Sequence, residues 1–255
     1  MLAFGLVGFL DDFIKVKRKR NLGLRAYQKI IAQLLLSFAA AYYAYKSSFI
    51  GSTLYDPIFG SIELGGWYIP FTMFMIIAVV NSANLTDGLD GLLSGVSLIY
   101  SIAMGVLFLY FAKVFDGSFI NEPRFVANRD GMLCMSVFAF AVAGGCLGFL
   151  KSNSYPAKVF MGDTGSMALG GAMSAMVIYS RSPFLFLLMG VCIVASAVSV
   201  VLQVGSFKLR HGKRIFKMAP LHHHFELLGY PETKVVSGYM IVTALACVAA
   251  LALFL

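Results

Sequence analysis

An all-α bundle that crosses a membrane several times is the fold this sequence predicts, and three observations predict it. Hydrophobic residues make up 59% of the chain and charged residues 13%, about half the charge fraction of an ordinary soluble domain. Apolar runs recur along the whole chain, each near the length of about 20 residues that a helical span needs. Those runs are apolar all round rather than alternating, which excludes the strands of a β-barrel.

The elements follow in order. Residues 1–13 read as the cytoplasmic half of a span, ending on Asp11 and Asp12. A basic stretch precedes a full span at 26–45. Between 46 and 66, Gly51, Asp56, Pro57 and Gly60 punctuate short β-prone pieces, the pattern of a small hairpin. Further spans are predicted at 67–86, 91–112, 131–150, 166–181, 184–205 and 234–255. Gly88 and Gly91 break the chain after the second full span, and Arg181-Ser182-Pro183 is a tight turn. The mixed polar loop at 113–130 carries Asp116, Glu122 and Asp130 as solvated charges, like Asp56 and Glu63 in the hairpin. The whole, residues 1–255, reads as one integral membrane domain with seven full spans and one partial span. Cys134, Cys146, Cys192 and Cys247 all fall in apolar runs without metal-ligand spacing, so they read as small packing residues. No charged segment followed by a cleavage site suggests a signal peptide.

The net charge of +8 is explained by topology, not by nucleic acid. Segments 15–29, 151–165 and 206–234 hold seven, two and six Lys and Arg, against five in the rest of the chain. The positive-inside rule makes these three alternate loops cytoplasmic. Alternation of the spans then brings residues 84–91 to the same side.

That orientation matters because five aspartates converge on it: Asp11, Asp12, Asp87, Asp90 and Asp163. A carboxylate at a bilayer centre costs about 2.5–3.5 kcal/mol on insertion scales, so carboxylates in such a chain are usually kept for function. Adjacent helical side chains point about 100° apart, so Asp11 and Asp12 cannot chelate one ion symmetrically. One faces the site as base or metal ligand and the other supports it; alone, the pair also reads as a helix end paired with Lys15 or Arg18. Asn81, Asn84, Asp87 and Asp90, spaced by three, supply the paired donors and acceptors that read a nucleobase edge and a ribose. In the segment running from Asn153 to Ser166, glycines beside a helix N-terminus suit an anion, and Asp163 suits Mg²⁺, which takes one or two carboxylates with phosphates. Phe160 is placed to stack on a base or to anchor at the interface. Three consecutive histidines, His222, His223 and His224, cannot all face one metal, so imidazoles donating to phosphates or to Asp163 fit better.

GFLDDF, NSANLTDGLDGL, VFMGDTGSMALGG and APLHHHFELLGYPETKVV together resemble the phospho-N-acetylmuramoyl-pentapeptide-transferase family, over nearly the whole chain and in the right order. The acidic and glycine motifs are shared across the polyprenyl-phosphate N-acetylhexosamine-1-phosphate transferase superfamily; the histidine and YPET stretch is the more specific. The resemblance implies transfer of phospho-MurNAc-pentapeptide from UDP-MurNAc-pentapeptide to undecaprenyl phosphate, giving lipid I and UMP with Mg²⁺. It implies a multi-pass enzyme of the bacterial inner membrane that faces the cytoplasm, serves peptidoglycan synthesis and leaves a homodimer open. By motif, Asp11 resembles the residue that meets or deprotonates the lipid phosphate, with Asp12 beside it, and Asp163 resembles the Mg²⁺ ligand. Asn84, Asp87, Asp90 and Phe160 fall where the family binds uridine. Lys19 and Asn153 resemble further site residues, and His222 heads the histidine motif. Family members carry ten spans, of which the first two would precede Met1. Two other readings stand beside this one: a UDP-GlcNAc transferase of the same chemistry, and an ion-coupled transporter. Transporter sites sit near the midplane, whereas these aspartates sit at span ends.

Overall fold

A computed structural model of the chain describes residues 1–19, 22–56, 60–114 and 129–254. Among these residues lie ten α-helices: α1 (Leu2–Arg18), α2 (Ala26–Lys46), α3 (Tyr68–Thr86), α4 (Leu92–Val114), α5 (Arg129–Asn153), α6 (Gly162–Ser180), α7 (Pro183–Met189), α8 (Val191–Leu209), α9 (Leu221–Leu227) and α10 (Glu232–Phe254). Five stretches are long and apolar enough to cross a membrane: Gly65–Thr86, Leu92–Lys113, Arg129–Asn153, Val191–Leu209 and Glu232–Phe254. The protein is therefore an all-α polytopic membrane protein. Helices α2 and α6 were also expected to span; they match the others in length but are more polar. Most of the expected loop at 113–130, with Asp116 and Glu122, lies outside the described residues, as does Pro57.

The expected hairpin is present. Strand β1 (Thr53–Asp56) pairs antiparallel with β2 (Gly60–Glu63), Thr53 opposite Glu63 and Asp56 opposite Gly60. Tyr55 N–H donates to the Arg181 carbonyl at 2.9 Å, and Arg181 Nε donates to the Thr53 carbonyl at 3.2 Å. The hairpin is thus tied to the C-terminal end of α6, a helix length away from Asp163 at its N-terminus.

One expectation needs correction. The run 184–205 was read as one span, but the chain forms two helices, α7 and α8, divided at Gly190. Gly190 N–H closes the first by donating to the Phe186 carbonyl at 2.8 Å. A Cβ at Gly190 would lie 2.7 Å from that same carbonyl oxygen, so the break needs glycine. Unbroken hydropathy on both sides hides such a break, because hydrophobicity alone does not report backbone direction.

Helix α6 is the centre of the bundle, packed by α1, α3 and α4, and its middle residues from Gly170 to Ile178 are almost all buried. Between apolar helices in lipid the hydrophobic effect supplies no drive, and association relies on close van der Waals packing by small residues. The sequence of α6 supplies them: Gly165, Ala168, Gly170, Gly171, Ala172 and Ala175. A Cβ on Gly170 would meet Val80 Cα of α3 at 2.6 Å, and one on Gly8 of α1 would meet the Asp163 carbonyl oxygen at 2.1 Å. By contrast Gly144, on α5, faces open space. Alanine normally favours a helix over glycine by about 1 kcal/mol. Gly8→Ala is nonetheless expected to lower stability by at least 1–3 kcal/mol (roughly the cost of overpacking), whereas Gly144→Ala stays neutral or slightly stabilising. Thermal unfolding of the two variants in the same detergent checks the contrast.

Candidate active site at the acidic end of the bundle

Three carboxylates from two helices meet where α1 lies against the first turn of α6. Asp11 is buried, 1% exposed, and its Oδ1 accepts from the Leu24 backbone N–H at 2.7 Å. Asp12 Oδ2 reaches across to α6, accepting from Thr164 N–H at 2.9 Å and from Thr164 Oγ1 at 2.8 Å. It therefore caps the helix that carries Asp163, where a negative charge is favoured. Asp163 Oδ1 accepts from Asn84 Nδ2 at 2.8 Å, and Asn84 also donates to Ser166 Oγ at 2.9 Å.

Two lysines stand among the carboxylates. Lys15 Nζ lies 2.6 Å from Asp11 Oδ2, 3.3 Å from Asp12 Oδ1 and 2.9 Å from Asp163 Oδ2. Lys29 Nζ, from α2, lies 2.6 Å from Asp163 Oδ2 and 3.5 Å from Asp11 Oδ2. Partial burial by itself lowers the pKa of Lys15, but the hydrogen bonds to Asp11, Asp163 and Asp12 prevail and raise it well above the ordinary lysine value. Burial likewise raises Asp163, yet its contact with Asp11 and the bonds from Lys29, Asn84 and Lys15 outweigh it and hold the carboxyl far below the usual range.

The same trio is a possible metal centre. Asp11, Asp12 and Asp163 each present one oxygen, all within 4.8 Å of one another. A set of hard anionic oxygens fits Mg²⁺ or Mn²⁺ rather than a softer metal. The two aspartates of α1 differ in burial, Asp11 enclosed and Asp12 partly exposed, in keeping with their separation of about 100°.

The loop between α3 and α4 approaches from one side. Asp87 caps α3 with a non-helical backbone. Burial, then the charges of Asp163 and Asp12, push its carboxyl up to about 7. Asp90 clamps neighbouring segments: its Oδ2 accepts from Ala157 N–H at 2.8 Å, while its own N–H donates to Glu232 Oε1 at 2.6 Å. Gly91, at φ 77°, then turns the chain into α4.

The histidines arrive through a gap left by Gly88, where a Cβ would lie 2.3 Å from His222 Nε2. His222 is fully buried, and neither ring nitrogen has a hydrogen-bond partner among the described residues. Burial, then His223, pushes it down to about 4, so it is neutral near pH 7. His223 Nδ1 lies 2.6 Å from Glu226 Oε2, and His224 Nδ1 accepts from Lys217 N–H at 3.1 Å. The three rings thus serve different neighbours, as three consecutive residues on one helical turn must.

Other expected residues sit further out. Asn81 donates to Gln33 Oε1 at 2.9 Å and to the Ile77 carbonyl at 2.8 Å, between α2 and α3. Asn153 is buried, accepting from Ser94 Oγ at 2.7 Å and donating to the Val159 carbonyl at 3.0 Å. Phe160 is exposed, and so is Lys19 at the left-handed C-cap of α1. Lys19, expected at the site, caps α1 outside the cluster, whereas Lys15, expected only as an end-cap partner, stands within it. The spacing of four from Asp11 was the signal that places Lys15 beside that carboxylate. Lys29, Thr164, Ser166 and Glu232 left no comparable sign, because their partners come from distant segments.

The glycosyl transferase family 4 profile matches residues 1–181. A phospho-N-acetylmuramoyl-pentapeptide-transferase of Clostridioides difficile (strain 630) is 51% identical over 99% of this chain and 73% of its own length. Proteins of the same name from Caldanaerobacter subterraneus subsp. tengcongensis and Clostridium novyi (strain NT) are 47% and 46% identical, each over 96% of this chain and over 71% and 70% of their own lengths. The chain belongs to glycosyl transferase family 4 and, within it, to the phospho-N-acetylmuramoyl-pentapeptide-transferases, membrane-embedded enzymes that transfer a phosphosugar.

Proposed function

We propose that the acidic end of the bundle is the catalytic centre, where phospho-MurNAc-pentapeptide passes from its UDP carrier to undecaprenyl phosphate, yielding lipid I and UMP. The observation that carries this reading is the meeting of Asp11, Asp12 and Asp163 with two lysines at one end of a membrane bundle. A lipid phosphate and a soluble nucleotide-sugar can meet only at such an edge. The basic end of α1, with Lys15, Lys17 and Arg18, supports a cytoplasmic site in the bacterial inner membrane.

A phosphate oxygen of the lipid forms a bond to the β-phosphorus of the nucleotide-sugar. The bond from that phosphorus to the bridging oxygen breaks, and UMP leaves with the electron pair. A phosphate monoester has a second pKa of about 6, so Asp11 need only keep the nucleophile deprotonated and aimed. A base of this kind contributes about 10²–10⁴-fold. Asp163, flanked by Asp11 and Asp12, would hold Mg²⁺, which supplies charge neutralisation to the diphosphate when bound. Lys15 and Lys29 stand within reach of the same phosphates. Asn84, Asp87, Asp90 and exposed Phe160 would read the uridine, with Asn81 and Asn153 behind them. Asp87 is near half-protonation at pH 7 and, when protonated, can donate to a carbonyl of the base. Neutral His222 would complete the wall beside Gly88.

UMP release by the purified protein, supplied with undecaprenyl phosphate and either UDP-MurNAc-pentapeptide or UDP-GlcNAc, tests the substrate. Turnover is expected with the muramoyl donor alone; preference for UDP-GlcNAc would favour the related hexosamine transferase. Asp163→Asn is expected to lower turnover by about 10²-fold or more, with the thermal unfolding midpoint kept. Full activity of that variant at low Mg²⁺ would place the ion elsewhere. Asp87 gives a pH signature. Its folded pKa of about 7 lies above the ordinary 3.8, so stability it contributes when protonated is lost as pH rises from about 4 through 7. Without divalent cations, Asp87→Asn should therefore be more stable than the parent at pH 8 by about 1–2 kcal/mol, a figure discounted for solvent screening. The advantage should shrink at pH 5; equal unfolding midpoints at both pH values would contradict a raised pKa.

A further inference from the structure

The position of Lys15 has a consequence for the metal. Its Nζ is within 3.3 Å of one oxygen from each of Asp11, Asp12 and Asp163, and these residues are the ones whose oxygens lie within 4.8 Å of one another. An ion bridging the three carboxylates would occupy the point where the ammonium sits. Both are cations, and no arrangement holds them at one point.

We infer that Lys15 is the resident counter-ion of the cluster and that a divalent cation enters only by displacing it. The inference rests on the reading that these carboxylates take a metal. Lys29 differs: it lies against Asp163 and, less closely, Asp11, at the edge of the trio rather than among all three residues. The displaced Lys15 has somewhere to go. It stands on the last turn of α1 with its side chain 32% exposed, so its flexible stem can turn outward to the phosphates that arrive with the donor. Exchange would give the ammonium a partner at both stages, carboxylates first and phosphates later. It would also tie tight metal binding to the arrival of an anionic substrate, because only then does Lys15 gain a second partner. Without Lys15 the carboxylates would keep only Lys29 at their edge and would bind the ion more readily.

The test is Mn²⁺ binding to the full chain in detergent, without nucleotide, read from the free-ion signal in electron paramagnetic resonance. Lys15→Met is expected to tighten Mn²⁺ binding at least tenfold, and the added Asp163→Asn change is expected to abolish the gain. Lys17→Met, an exposed lysine two residues away on the same helix, should match the parent. If Lys15→Met proves unstable, Lys15→Gln keeps a hydrogen-bonding side chain without the charge and should show the same gain. Lys15→Arg, which keeps the charge, should not. Unchanged or weaker affinity in both neutral variants, with a parent site that Asp163→Asn removes, would overturn the exchange while leaving the metal reading intact. If no protein shows a site sensitive to Asp163→Asn, the metal reading fails and the exchange falls with it.

Discussion

Asp163 meets Asp11 and Asp12 because α1 can lie almost backbone to backbone on the first turn of α6. At Gly8 a single carbon would stand 2.1 Å from the Asp163 carbonyl oxygen, so hydrogen alone is tolerated there. Everything at the acidic end depends on that approach. It lets Asp12 cap α6 through Thr164, and the cap in turn fixes the turn that carries Asp163. Small residues therefore do two things in this protein. They supply the packing that holds helices together in lipid, and they set the distance at which carboxylates from separate helices share one space.

Bringing three carboxylates together is costly unless the charge is compensated, and the bundle compensates it from within. Lys15 comes from the same helix as two of the acids, and Lys29 from the neighbouring one. Two lysines set against three acidic side chains offset most of the charge, in a region where burial makes uncompensated charge expensive.

Around this centre the polar residues divide into those that face the cluster and those that hold the frame. Asp90 ties two other segments to its loop, its carboxylate accepting from Ala157 N–H and its own N–H donating to the Glu232 carboxylate; Asn153 joins α4 to the chain leading to Phe160. His224 holds the backbone at Lys217, whereas His222 is buried beside Gly88 with unspent ring nitrogens. The frame residues are as polar as the others, and their motif membership does not tell the two groups apart.

Much of this was determined by the sequence alone. Hydropathy carries the class, because a membrane demands lengths and compositions that survive in one dimension; it does not carry the count, since seven full spans were expected and five stretches qualify among the described residues. Charge asymmetry predicts an orientation and alternation of spans groups the aspartates; of these the structure brings Asp11 and Asp12 to Asp163 with Asp87 close enough to feel their charge, while Asp90 bonds to Ala157 and Glu232. The break at Gly190 was not legible, since the residues on both sides are equally apolar. Nor were the partners of the carboxylates. Lys15 lies one turn from Asp11 and was within reach of helical spacing, but Lys29, Asn84 and Thr164 meet Asp163 or Asp12 across helix contacts. Sequence periodicity reports which way a side chain points on its own helix; which atoms it meets is decided by how closely helices approach and at what height. Tertiary packing alone decides that, here through hydrogen-sized gaps at Gly8 and Gly88.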